Sequence, residues 1–292
     1  MSGPALALVA LCLAGAAAEA LALVPLLRVA PVALLVPNYR GATVIGRAGF
    51  TLAAPLLVAA GLAWAAHTAP GASGLPAFAA TVAAITFGAL GWLDDTYGDS
   101  AARGMKGHLA ALAKNRRVTT GLAKAVGGAA VGIWAAYVWG ATGWAVLPAG
   151  ALVAVSANTI NVLDARPGRA VKGFVLASVI VLALSCRAPL PGAVGVLAAL
   201  LGAAIVFAWA DLGERVMLGD TGANPLGCVL GMGVLGLTSW PVWLALSVAL
   251  ALICVAADRW SLSRLIDAAP VLRWIDELGR PGRAAGRGSH GD

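Results

Sequence analysis

The chain has 292 residues, of which 60% are apolar and only 11% charged, too few solvating groups to cover a water-soluble globule of this length. Its formal charge of +7 would suggest nucleic acid for a soluble protein, but here topology and anionic headgroups account for most of it, so no nucleic acid is expected as a partner. The expected fold class is all-α, a polytopic membrane helical bundle.

A hydrocarbon core of about 30 Å needs roughly 20 helical residues per crossing, and cutting the apolar runs at charged and Pro/Gly-rich breaks gives about nine transmembrane helices. They fall near residues 4–27, 48–69, 75–94, 119–138, 143–164, 170–187, 190–210, 222–239 and 241–259. An odd count puts the termini on opposite faces. With the uncharged amino end outside, every lysine and arginine except Arg187 falls on the cytoplasmic side, the side that basic residues select. The C-terminus is then cytoplasmic. Small residues from Ala16 to Ala20 would suit a cleaved signal peptide, but the lack of a basic amino-terminal region argues for a retained span. Glu19 within it is an intramembrane acid and a functional candidate by default, with no role assigned.

Residues 1–260 read as one integral membrane domain without internal repeats. Residues 261–279 space Leu262, Leu265, Ile266, Leu272, Ile275 and Leu278 among charges, which predicts an amphipathic surface helix. The Gly- and Arg-rich stretch 280–292 reads as a disordered basic tail. Cys12, Cys186, Cys228 and Cys254 are isolated in or beside apolar runs and read as buried small hydrophobes. His67, His108 and His290 are scattered, so no zinc site is indicated.

The polar clusters, taken in chain order, collect on the cytoplasmic side. Asp94 and Asp95 end the third span, where Tyr97-Gly98 would let the backbone turn; neighbouring helical residues point about 100° apart, so two such carboxylates meet one ion only at a helix end. Mg²⁺ suits such a place, taking a few carboxylates plus water and phosphate oxygens; a solvated pair marking the membrane boundary is the plain alternative. Next come Arg103, Lys106, Lys114, Arg116, Arg117 and Lys124, a cationic wall facing the acids. Asn158, Asn161 and Asp164 recur every three residues, a polar stripe that must face the bundle interior or a water-filled cleft. Arg166-Pro-Gly-Arg169 and Lys172 form a basic turn fit either to grip phosphate or to anchor the membrane boundary. Asp211 and Glu214, a turn upstream of the Gly-Asp-Thr-Gly loop, read either as a helix end or as groups supporting that loop. In Met217-Leu-Gly-Asp-Thr-Gly-Ala-Asn-Pro225, Asn224 reads as N-cap and Pro225 as the first residue of the eighth helix, with Asp220 on a glycine turn beside its amino terminus.

The ordered set Asp-Asp, Asn-x-x-Asn-x-x-Asp and Gly-Asp-x-Gly across several spans resembles the polyprenyl-phosphate N-acetylhexosamine-1-phosphate transferase family, which includes phospho-N-acetylmuramoyl-pentapeptide transferase. The likeness covers residues from about 37 to 260. It implies a bacterial plasma-membrane enzyme whose active face is cytoplasmic. With Mg²⁺ it would transfer sugar 1-phosphate from a UDP-sugar to a polyprenyl phosphate in cell-envelope synthesis, releasing UMP, with a homodimer as a possible assembly. Carried over position by position, Asp94, Asp95 and Asp164 are catalytic, and Asp220 with Asp95 holds the metal. Asn158 and Asn161 bind substrate, as do Asn38 and Arg40 of the first inward loop, Pro37-Asn-Tyr-Arg-Gly41, and Lys124. Arg166, Arg169 and Lys172 would neutralise the remaining phosphates.

Two departures from the family pattern stand out. Asp164 runs into Ala-Arg-Pro-Gly168 where the family continues Asp-Gly-x-Asp-Gly, and the histidine motif of the last inward loop is missing. The last family helix is also absent, with the amphipathic tail in its place. The alternative is therefore a catalytically inactive paralogue that binds polyprenyl phosphate or organises envelope-synthesis partners. A transporter predicts midplane charges and repeat symmetry, which the sequence lacks.

Overall fold

The computed structural model describes residues 3–67, 74–98, 119–185, 192–260 and 262–280. Arg103, Lys106, Lys114, Arg116, Arg117 and Arg187 lie outside the described residues, as does the expected disordered stretch from 281 onward.

Each expected span contains a helix: α1 (Gly3–Val29), α2 (Ala53–His67), α3 (Leu75–Tyr97), α4 (Thr120–Trp139), α5 (Val146–Leu163), α6 (Arg169–Ser185), α7 (Gly192–Leu212), α8 (Gly219–Leu235) and α9 (Trp240–Arg259). Among the described residues, 7 helices are long and apolar enough to cross a membrane, α2 counting with the 3-10 turn Ala48–Leu52 that leads into it. The other two, α6 and α8, have 17 residues each, a rise of about 26 Å at 1.5 Å per residue. The chain is thus a helical bundle of membrane-protein character.

The short α8 is the hub. It packs against α3, α5, α6 and α7, and every residue from Thr221 to Val229 is buried. Small residues make this close approach possible: a side chain at Gly91 of α3 would overlap the backbone of Asp220 and Thr221, and one at Gly227 would overlap Ser156 and Ala157 of α5. These two crossings bring the ends of α3 and α5 onto the start of α8. On one flank α1 lies along α7; on the other α9 leans on α5, with Ser247 its one buried residue.

The structure corrects three sequence expectations. The eighth helix starts at Gly219, with Pro225 inside it, rather than at Asn224-Pro225. The expected tail helix is two short ones, α10 (Leu262–Ala268) and α11 (Pro270–Glu277), because the ring of Pro270 pushes Ala269 into an extended conformation, φ −102° and ψ 110°. Finally, the bundle carries a small antiparallel hairpin. Strand β1 (Leu35–Pro37) pairs with β2 (Thr43–Ile45) in the register Leu35 to Ile45, Val36 to Val44 and Pro37 to Thr43. Ile45 then bridges Val216, linking the first loop to the segment just before α8.

Candidate active site

The three acidic motifs meet at the amino terminus of α8. A helix start exposes backbone N–H groups that no residue of its own helix can accept, and carries partial positive charge. Here Leu218 stands at the N-cap and offers no side-chain acceptor. Carboxylates from two other helices do the capping. Asp164, at the end of α5, accepts the Gly219 N–H at 2.9 Å. Asp95, in the last turn of α3, accepts the N–H of Asp220 at 3.2 Å through Oδ1; through Oδ2 it accepts the Thr221 N–H at 3.0 Å and the Thr221 hydroxyl at 2.7 Å. Gly219 has φ +69°, and a Cβ there would stand 2.8 Å from Asp95 Oδ2, so the glycine of Gly-Asp-x-Gly is required by conformation and by space.

The neighbouring Asp94 points elsewhere. Its Oδ2 lies 2.8 Å from Lys124 Nζ, and the same ammonium contacts Asp220 Oδ2. Lys124 is the fifth residue of α4, whose start is fixed by the Thr119 side chain accepting the Leu122 N–H. The pair that shares a cation is therefore Asp94 with Asp220, while Asp95, expected on the metal, is occupied by amides. All three side chains are about a fifth exposed, and Asp94 and Lys124 stand at the wall of a cavity of about 540 Å³, with Asp220 held against it through Lys124. Asn158, Asn161, Asn224 and Asp258 line it as well.

Asn224 is a functional candidate that sequence reasoning misassigned to an N-cap. It is 3% exposed, its Nδ2 has no hydrogen-bond partner among the described residues, and it lines this cavity. A buried donor left unpaired costs about 1–3 kcal/mol, which a ligand oxygen would relieve.

The residues fit Mg²⁺. Asp94 and Asp220 already converge on one cationic group, and Mg²⁺ takes one or two carboxylates and fills the rest of its shell with water and phosphate oxygen. Among the described residues no three His, Cys, Asp or Glu side chains gather on one point.

The basic turn expected to hold phosphates is engaged by the tail. Arg169 is 5% exposed and grips Asp276 of α11 with Nε and Nη2 at 2.8 and 3.1 Å. Arg280 reaches the same carboxylate at 2.8 Å, Lys172 donates to the carbonyls of Ile275 and Asp276, and Arg166 pairs with Asp267 at 3.3 Å. The turn itself is fastened by buried Asp211, which accepts the Gly168 N–H at 2.8 Å. Burial alone would raise the Asp276 carboxyl, but hydrogen bonds and charge from Arg169 and Arg280 outweigh it and hold the group below the ordinary carboxylate value. A carboxyl depressed in the folded state stabilises docking fully above its unfolded pKa, about 3.9, and ceases to as pH falls through the lower folded value. Proteolysis within 262–277 is therefore expected to stay slow down to about pH 4 and to accelerate below it. In Asp276→Asn it should be fast at every pH.

The first loop is likewise tied down. Asn38 accepts the N–H groups of Arg40 and Ala42 at 2.9 and 3.0 Å and donates to Glu214 at 3.4 Å. Arg40 pairs with Glu214 at 3.2 Å. Asn38 lies with Asp164, Arg166 and Asp211 around a smaller recess, beside the main cavity's residues in sequence but not among its lining. Glu19 is fully buried between α1 and the Ala48–Leu52 turn, accepting the Thr51 hydroxyl at 2.6 Å, and takes no part in either recess. Comparison with known protein families and with curated proteins finds no match for this chain.

Proposed function

We propose that the chain is a membrane phosphotransferase that moves a sugar 1-phosphate from a UDP-sugar to a polyprenyl phosphate and releases UMP, as members of the polyprenyl-phosphate N-acetylhexosamine-1-phosphate transferase family do. It would span the bacterial plasma membrane nine times, amino end outside, with the cavity on the cytoplasmic face. One observation carries the reading: the Asp-Asp, Asn-x-x-Asn-x-x-Asp and Gly-Asp-x-Gly motifs gather at the start of α8, where Asp94 and Asp220 share Lys124.

An acceptor phosphate with a second pKa near 6 is already largely dianionic at neutral pH, so attack on the donor phosphorus is opposed mainly by repulsion between anions. Lys124 puts positive charge inside the cavity, and Asn158, Asn161 and the unpaired Asn224 amide orient the phosphate or donor oxygens. Mg²⁺, held by Asp94 and Asp220, would supply further neutralisation of the pyrophosphate and the leaving UMP. Asp94 would accept a proton from a monoanionic acceptor, or else attack the sugar-proximal phosphorus itself and expel UMP, after which the acceptor phosphate oxygen would displace the Asp94 carboxylate from that phosphorus. Asp95 and Asp164 act by holding α8 in place. Arg166, Arg169 and Lys172 have no part in this scheme while the tail is docked.

A second reading, an inactive paralogue that binds polyprenyl phosphate without turnover, draws support from Lys124 standing between the carboxylates and from the basic turn being occupied by Asp267 and Asp276. One assay separates the two. Purified protein with Mg²⁺, polyprenyl phosphate and a panel of UDP-sugars is expected to release UMP with one donor and to stop when EDTA is added. No UMP across the panel, with radiolabelled polyprenyl phosphate still bound, would select the inactive reading.

A further inference from the structure

At the same end of the bundle, but apart from the acidic site, α1, the hairpin and the end of α7 enclose a cavity of about 590 Å³. Val24, Leu27, Leu35 and Val44 give it an apolar side, and Arg28, Arg215 and Trp209 line it as well. The size falls within the usual range for small-ligand pockets.

The charges here do not cancel. Glu214 also lines the cavity, but its carboxylate is taken by Arg40, with Asn38 and Tyr39 donating to it. Arg28 makes no ion pair or hydrogen bond among the described residues, and Arg215 rests its guanidinium 4.8 Å from the Trp209 ring centroid, which leaves its donors open. Two arginines thus face one apolar recess with their hydrogen-bonding capacity unspent. The backbone marks the same place. Of the three non-glycine residues with positive φ among those described, two line this cavity, Ala30 at +41° and Glu214 at +53°. Such conformations persist only where the surroundings hold them, and they collect at ligand sites.

The geometry points to a binding site for an anionic phospholipid, with the headgroup phosphate between Arg28 and Arg215 and an acyl chain lying along Val24, Leu27 and Trp209. A free phosphate would use the arginines and leave Val24, Leu27, Leu35 and Val44 without a partner. A zwitterionic lipid would bring a second cation against them. Tryptophan at the end of a spanning helix and arginines at its border are the residues that meet the headgroup region, and basic pockets between helices take such headgroups. This inference is independent of the transfer reaction proposed above.

Native mass spectrometry of the full chain, released from a neutral detergent and titrated with phosphatidylglycerol or phosphatidylcholine, tests it. The expected result is one retained phosphatidylglycerol at concentrations where phosphatidylcholine does not bind. In Arg28→Gln/Arg215→Gln the affinity should fall roughly thirtyfold, about 2 kcal/mol at 1.4 kcal/mol per decade. The tail variant Arg264→Gln/Arg273→Gln should bind as the parent does. Both arginines are exposed, so the double variant should keep the parent's unfolding temperature. Glycerol 3-phosphate in tenfold excess should not displace the lipid. Equal retention of the two lipids by the parent chain, unchanged phosphatidylglycerol binding by the double variant, or displacement by glycerol 3-phosphate would each overturn the proposal.

Discussion

Asp220→Asn is expected to lower UMP release by about a thousandfold, roughly 4 kcal/mol of barrier, while moving the unfolding temperature by no more than about 4 °C. The two effects separate because the carboxylate and the backbone of this residue do different work. Its N–H, not its side chain, joins the capping by Asp95, and asparagine keeps that N–H. What asparagine loses is the negative charge beside Lys124 and Asp94. With one carboxylate gone, Lys124 neutralises Asp94 alone, and the pair that could hold a divalent ion is reduced to a single acid. The measurement is UMP release by purified variant and parent at saturating Mg²⁺, beside thermal unfolding of both. A variant with full transfer rate would remove Asp220 from the chemistry and the metal assignment with it.

The helices were legible in the sequence because the apolar runs are long and their borders are charged; a period of about twenty apolar residues can hardly fold as anything else in a bilayer. The gathering of the acidic motifs was legible only as an order and a side. What the sequence concealed was the division of labour within Asp94-Asp95. Both carboxylates sit at the end of α3, and only the position of α8 and α4 against that end decides which one meets amides and which one meets Lys124. The start of α8 was misplaced for the same reason. Asn-Pro is a strong local start signal, yet the helix runs six residues further back because its first amides are capped by Asp95 and Asp164 from distant segments. Arg166, Arg169 and Lys172 show a further limit: a side chain that suits phosphate suits carboxylate equally well, and their partners Asp267 and Asp276 lie about a hundred residues on. Glu214 does lie just past the end of α7, as the sequence suggested, but its pairing with Arg40 depends on the hairpin and was not legible.

Asp95→Ala should damage both the fold and the reaction, which sets it apart from its neighbour. It removes three hydrogen bonds at the partly buried start of the most enclosed helix, two to backbone amides and one to the Thr221 hydroxyl. Charge-assisted bonds of this kind contribute about 1.5–3 kcal/mol each and are not additive, so a net loss of roughly 3 kcal/mol is expected, together with UMP release down by more than about a hundredfold. Asp95→Asn keeps one carbonyl oxygen as an acceptor and should recover about half the stability. Asp94→Asn, by contrast, leaves the cap whole and should lower only the rate. Thermal unfolding in detergent gives the stabilities, and hydrogen exchange of the amides of Gly219, Asp220 and Thr221 gives the cause, since in Asp95→Ala the Asp220 and Thr221 amides should exchange faster while Gly219, held by Asp164, stays the better protected. Unchanged unfolding and unchanged exchange in Asp95→Ala would mean that α8 is held by packing alone, and then the nearness of Asp220 to Lys124 would need no help from the Asp-Asp motif.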